Sequence, residues 1–285
     1  MNTDTFLEII RKDFPLANDI QMYTEGWDHV VFSVNSKIAY RFPKNIQHQN
    51  QLCLEAKFVK VFSEFCSTEI PHIETKVHND LIYGVYPFIQ GTFLSYDSAK
   101  CLNQESIAKI CQELGTFLKE IHSFPVARAK TIGIVKMDLV KFWMKKLTQT
   151  IEMFSLYLDN DEINVIQSRY NKFLELITQF PIEHKVNHSD LKPPHIIIDV
   201  GSLSGIIDFS EVVIGDPAYD FQYLGRYGKK FLEQVYKSYG EQDAYFETRR
   251  IFYEYLSHLE PLESAILIND KSLISREKGI ISGLI

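Results

Sequence analysis

At Pro87 the hydrophobic pattern of the chain changes its period, and that change constrains the fold more than any other feature of the sequence. Upstream, short β-rich runs at residues 20–24, 30–34 and 37–42 read as strands, and Asn35 and Ser36 supply the turn of a hairpin between the last two. Leu52, Ala56, Val59 and Phe62 recur at helical spacing within 49–65, ahead of Pro71, and a further strand pair is predicted at 73–77 and 81–86. A short helix is predicted over 4–11, where Thr5 and Glu8 stand at capping-box spacing. Downstream of Pro87 come long helical segments at 103–122, 139–156 and 162–179. A second β-rich patch follows, with 195–200 and 205–207 flanking a turn at Gly201-Ser202, and from 217 onward the sequence is helical and aromatic. This order predicts an α+β protein of two unequal lobes. An antiparallel sheet plus helix occupies 1–87, a mainly helical lobe occupies 88–285, and a cleft lies near residues 87–91.

Composition removes several function classes. The chain has 285 residues, 37 acidic against 30 basic side chains and a net charge of −7, poor ground for binding nucleic acid or anionic lipid. Sixteen acidic and 11 basic residues fall after position 179, so the negative field is concentrated in the C-terminal part, where it suits a cationic partner. Cys53, Cys66, Cys101 and Cys111 form no CxxC pair, which speaks against a disulfide framework or a thiolate metal site. With no basic, apolar leader at Met1–Arg11 and no apolar run of about 20 residues, a cytoplasmic protein is expected and its oligomeric state stays open.

The chemistry is concentrated in His188-Ser189-Asp190-Leu191-Lys192-Pro193-Pro194-His195 and in Ile207-Asp208-Phe209-Ser210-Glu211. A turn-rich loop holding Asp190 and Lys192 runs into a hairpin that presents His195 and Asp208. Phosphoryl transfer needs such a set: a carboxylate for the hydroxyl, ligands for magnesium and a cation for the γ-phosphate. The steps of 5 residues from Asp190 to His195 and 18 to Asp208 match the spacing of kinase catalytic and metal-binding segments.

With Asp216-Pro217-Ala218-Tyr219-Asp220 added, the stretch 186–221 resembles the aminoglycoside phosphotransferase family of protein-kinase-like small-molecule kinases, nearest its 2''-phosphotransferase and macrolide phosphotransferase branches. The resemblance implies a protein-kinase-like two-lobed fold that moves the γ-phosphate of ATP or GTP, with Mg2+, to a hydroxyl of a small molecule. It implies Asp190 as catalytic base, His195 and Asp208 as magnesium ligands, and Asp220 as a structural acid pinning the loop. His188 is expected to pack and hydrogen-bond beneath the loop, and Lys192 to approach the γ-phosphate. In the N-terminal lobe, Arg41 is the expected phosphate contact, with Lys44 its competitor, and Glu55 is its ion-pair partner. Gly26 is the only glycine of the phosphate-covering hairpin, and Pro87 and Ile89 form the hinge for the base, adenine and guanine being equally compatible. Glu211 falls where 2''-enzymes place a substrate-binding acid, so an aminoglycoside is the favoured acceptor. A macrolide or another hydroxylated metabolite is the alternative.

Several residues depart from the family pattern. Ser189 and Ser210 replace glycines, and Gly225-Arg226-Tyr227-Gly228-Lys229-Lys230 stands where the 2''-enzymes are acid-rich. These departures leave room for a catalytically inactive nucleotide-binding module. A zinc hydrolase built on His184, His188, Asp190 and His195 is disfavoured because prolines bracket a run that would need to be helical. A protein kinase is disfavoured because only 8 residues separate Asp208 from Asp216 and no Ala-Pro-Glu follows.

Overall fold

The structure, a computed structural model, describes residues 3–23 and 28–283; Gly26 lies outside them. The first elements are α1 (Thr3–Asp13), β1 (Ile20–Tyr23), β2 (His29–Val34), β3 (Ile38–Pro43), α2 (Ile46–Phe62), β4 (Glu74–His78) and β5 (Leu81–Pro87). The strands make one antiparallel sheet in the order β1-β2-β3-β5-β4. Asn35 and Ser36 join β2 to β3 with φ of 53° and 51°, the doubly left-handed turn that matches strand twist. Because α1 begins at Thr3, Thr5 stands inside the helix rather than at its cap.

Strand alternation gives this sheet two different faces. Phe32 and Val34 of β2 and Tyr40 and Phe42 of β3 pack on Phe6, Ile9 and Ile10 of α1, and Phe6 stacks on Phe42 with ring centroids 4.3 Å apart. The other face of the same strands carries His29, Val31 and Arg41, and all three line the cleft.

The remaining chain forms β6 (Thr92–Phe93), α3 (Tyr96–Cys101), α4 (Gln104–Ser123), α5 (Val126–Ile132), α6 (Leu139–Phe154), α7 (Asn160–Gln179), β7 (Lys185–Asn187), β8 (Ile196–Asp199), β9 (Ser202–Ile206), β10 (Val213–Gly215), α8 (Lys229–Tyr239), α9 (Phe246–Leu267) and α10 (Lys271–Ser282). The three long helices expected from periodicity are present as α4, α6 and α7. The last starts at Asn160 because Asp159 and Glu162 close a reciprocal capping box. The short α3 and α5 and the β7–β10 pairing were not legible, since elements of 3 to 7 residues carry too few repeats to show a period. The second hairpin turns one residue earlier than expected, at Val200-Gly201 with φ of 44° and 76°, and Ser202 already belongs to β9. His195 closes a 3-10 turn, Pro193–His195, rather than opening the strand.

The lobes are joined by α2. Phe58, Val59 and Phe62 on its inner face belong to the core of the helical lobe, where Phe62 meets Phe117, Phe124 and Phe209 at centroid distances of 6.2, 5.8 and 6.1 Å. Phe62→Ala is therefore expected to destabilise the protein by about 3–5 kcal/mol. A chemical denaturation midpoint that stayed at the wild-type value with an unchanged m-value would contradict this placement.

Candidate active site

A cleft of about 1190 Å³ separates the sheet from the helical lobe. Its floor is the loop between β7 and β8, which the sequence cannot hold in place by helix or strand bonds. Asp220 does so instead. Its Oδ2 accepts from the His188 N–H (2.8 Å) and its Oδ1 from the Ser189 N–H (2.7 Å), while His122 at the end of α4 meets Oδ2 through Nε2 at 3.0 Å. His188 is wholly buried. Its Nδ1 accepts from the Asp190 N–H (3.3 Å), so its proton is on Nε2 and is given to the Ile207 carbonyl at 3.1 Å. With both nitrogens used, His188 is a strut and takes no part in a metal site. Ser189 sits at φ 70°, the left-handed conformation that explains why glycine would be the easier residue there.

Above this loop Asp190 is paired with Lys192, Nζ to Oδ2 at 2.8 Å. Burial raises the Asp190 carboxyl and Lys192 opposes that rise. His195 gives its Nδ1 proton to the Asp190 carbonyl (2.7 Å), and burial holds the imidazole neutral, which leaves the Nε2 lone pair facing Asp208 Oδ2 across 3.5 Å. Asp208, at φ 67°, is ionised well below the usual carboxylate range. Burial opposes this, but the Arg41 charge and the hydrogen bonds from Ser210 and Arg41 outweigh it. Both Arg41 Nη2 (2.9 Å) and Ser210 Oγ (2.8 Å) donate to Oδ1, so Oδ2 is the oxygen turned toward His195. Among the described residues, Asp190, His195 and Asp208 are the one group able to hold a metal ion, with their ligand atoms within 4.8 Å of one another. Two lone-pair atoms facing each other in this way fit a cation.

The roof is Arg41. It is buried and held by Glu55 of α2 at 2.8 Å to both carboxylate oxygens, and Glu55 also accepts the Phe209 N–H at 2.9 Å. Arg41 rather than Lys44 thus meets Glu55. The sequence reading places Pro87 at the hinge for the base. This residue closes β5 opposite Ile38 and is exposed, and the wall of the cleft runs through Tyr86, Phe88 and Ile89 instead. Alternation along the extended chain turns 86 and 88 to one side and 87 to the other. Glu211 is on the rim, where Gln51 Nε2 donates to it at 3.4 Å; partial burial and the carboxylates of Asp190, Asp28 and Asp208 raise its carboxyl.

Several residues of this region were missed. Arg249 of α9 is buried and donates to Asp216 at 2.7 Å and 3.2 Å, and Tyr253 adds its hydroxyl at 2.8 Å. His29, Asn187, Tyr223, Glu260 and Glu263 all line the cleft. One signal was available, the Arg249-Arg250 pair inside a helix rich in aromatic residues, because a buried guanidinium requires a buried acid. Glu260 and Glu263 carry no local mark, since only the return of α9 to the catalytic loop gives them a role.

The two lobes, the ion-paired Arg41 roof and the Asp190–His195–Asp208 floor define a kinase-like phosphotransferase. The model of the phosphotransferase enzyme family matches residues 63–254, and the chain belongs to that family. Its structure is similar to that of the GDP and kanamycin complex of APH(2'')-IIIa, with a TM-score of 0.87 at 24% identity over 98% of this chain and 97% of that one. It is also similar to the macrolide 2'-phosphotransferase MphH from Brachybacterium faecium, with a TM-score of 0.72 at 13% identity over 98% of each chain. The uncharacterized protein YcbJ of Bacillus subtilis (strain 168) is 29% identical over 99 residues, 34% of this chain and 31% of YcbJ. At these identities the solved structures share the protein-kinase-like fold.

Burial pushes the Glu260 carboxyl up to about 7, against the Tyr223 hydroxyl that donates to it at 2.7 Å and together with the charge of Asp190. The folded protein therefore holds this proton more tightly than an unfolded chain, whose carboxyl titrates near 4.5. The resulting stability is fully present below the unfolded value and is lost as pH rises through the folded one. Glu260→Gln keeps an acceptor for Tyr223 and is expected to raise Tm relative to wild type at about pH 8 but not at about pH 4. The same offset in melting curves at both pH values would contradict the assignment.

Proposed function

We propose that the protein transfers the γ-phosphate of ATP or GTP to a hydroxyl of a small molecule, and that the acceptor is an aminoglycoside. One observation carries the reading: Asp190, His195 and Asp208 converge within 4.8 Å at the floor of the cleft that Arg41 roofs. In this reading Asp190 orients the acceptor hydroxyl and takes its proton. Lys192, already 2.8 Å from Asp190, stands where the γ-phosphate arrives. Arg41, steadied by Glu55, faces the α- and β-phosphates, and Ile89 borders the base. His195 and Asp208 would hold Mg2+, which when bound supplies positive charge against the phosphoryl oxygens. Residues 1–87 serve the nucleotide, and 88–285 supply catalysis and the acceptor site.

The support for a cationic acceptor is local. Glu211, Glu260 and Glu263 line the cleft on the side of Asp190. The basic residues that replace the acidic loop are elsewhere: Arg226 lies 4.8 Å over the Tyr96 ring and Lys229 faces Glu233 at 3.8 Å. A second reading, a macrolide or similar monoamine, is favoured by the aromatic part of the same wall, where the exposed Phe142 and the half-buried Tyr219 rings lie over the buried Trp143. A kinase of another hydroxylated metabolite shares the same machinery.

A coupled assay of nucleoside diphosphate release with kanamycin, erythromycin, choline and a hydroxylated amino acid, each with ATP and GTP, separates these readings. Turnover of kanamycin is expected. Asp190→Asn should lower kcat by about 10²- to 10⁴-fold while nucleotide Kd changes little. Turnover of another acceptor alone would reassign the substrate, and a wild-type protein that binds neither nucleotide would reject the phosphotransferase reading.

A further inference from the structure

The two oxygens of the Asp208 carboxylate are used unevenly. Oδ1 accepts from Arg41 Nη2 at 2.9 Å and from the Ser210 hydroxyl at 2.8 Å, whereas Oδ2 faces His195 Nε2 across 3.5 Å. A carboxylate oxygen has two lone pairs, and both of those on Oδ1 are taken. The second of its donors stands only two positions along the chain. In the Asp-Phe-Gly triplet of kinases that position is glycine, which has no hydroxyl to give.

That difference bears on how many cations the floor of the cleft can hold. Protein kinases hold two Mg2+ ions between the Asp of the triplet and a residue of the catalytic loop, and a carboxylate that serves two cations offers them both of its oxygens. Here the Ser210 hydroxyl fills the lone pair of Oδ1 that Arg41 leaves over. Reaching a phosphate does not oblige Arg41 to release Oδ1, because a guanidinium carries five N–H donors in a fixed fork and Glu55 holds this one in place at 2.8 Å. Asp190 offers no substitute, since its Oδ2 is paired with Lys192 at 2.8 Å. What stays open is Oδ2 of Asp208 with Nε2 of His195, whose other ring nitrogen is engaged by the Asp190 carbonyl. One carboxylate oxygen and one imidazole nitrogen suit a single cation.

We propose that Ser210 limits the site to one Mg2+ for each donor nucleotide, by keeping Asp208 Oδ1 closed and leaving Oδ2 as the only oxygen of that carboxylate able to serve as a ligand. Ser210 is a positioning residue, acting through Asp208. The proposal rests on the phosphotransferase reading and specifies its metal stoichiometry. With one cation fewer in the cleft, Arg41 and Lys192 carry a larger part of the charge on the phosphates.

The test counts bound Mn2+, which carboxylate ligands accept in place of Mg2+. Mn2+ is titrated into protein held in excess over the imidotriphosphate analogue of ATP or GTP, the free ion is read from its EPR signal, and the uptake by protein alone is subtracted. Wild type and Ser210→Thr, which keeps the hydroxyl, are expected to take up one Mn2+ per nucleotide, and Ser210→Ala, which loses it, two. Two Mn2+ in either of the first pair, or one in Ser210→Ala, overturns the proposal while leaving the phosphotransferase reading intact. Absence of nucleotide binding by the wild type overturns both. Should Ser210→Ala fail to fold, Ser210→Gly, which restores the residue of the kinase triplet, takes its place with the same two outcomes.

Discussion

A single buried guanidinium holds the two halves of this molecule in register. Arg41 comes from the sheet, Glu55 from α2 and Asp208 from the hairpin of the helical lobe, and the three meet within 2.9 Å. A buried cation is tolerated only when its neighbours neutralise and hydrogen-bond it. Here one neighbour is structural and the other belongs to the site. Glu55 in turn accepts the Phe209 N–H, so the residue after Asp208 is tied to the same cluster. The phenylalanines of α2 supply the apolar part of the attachment, and Arg41 sets its orientation.

A second buried system fixes the loop between β7 and β8. Asp220 takes both N–H groups at the start of the loop and is backed by His122, whose Nδ1 meets the Tyr239 hydroxyl at 2.9 Å. Asp216 is matched by Arg249 and Tyr253 of α9. These acids do no chemistry. They replace the regular ladder bonds that the eight-residue loop 188–195 between two short strands lacks, which allows Ser189 to keep a left-handed backbone at the site.

Much of this was legible in the sequence because chemistry and local spacing coincide there. Asp190, Lys192, His195, Asp208 and Asp220 lie within 31 positions of one another, and the turns between them are dictated by Pro193, Pro194 and the Val200-Gly201 hairpin. Arg41 and Glu55 were legible as a strand residue and a helix residue at the expected separation. The wall facing the site was not, because Trp143 of α6, Tyr223 of a turn and Glu260 of α9 are brought together only by tertiary packing. His29 escaped notice for another reason: a histidine at the start of a strand has no distinguishing neighbours until the pairing with β3 sets it beside Arg41.

The two anchoring systems have different owners. Asp190 is indexed to α4 and the helical lobe through Asp220, whereas Asp208 is also held by a residue of the sheet. The 2.9 Å contact between Arg41 and Asp208 is the point at which the sheet reaches the cluster that also holds Asp190. The separation between the Asp190 and Asp208 carboxylates is thus set by both lobes at once, so neither half of the chain could build this floor alone.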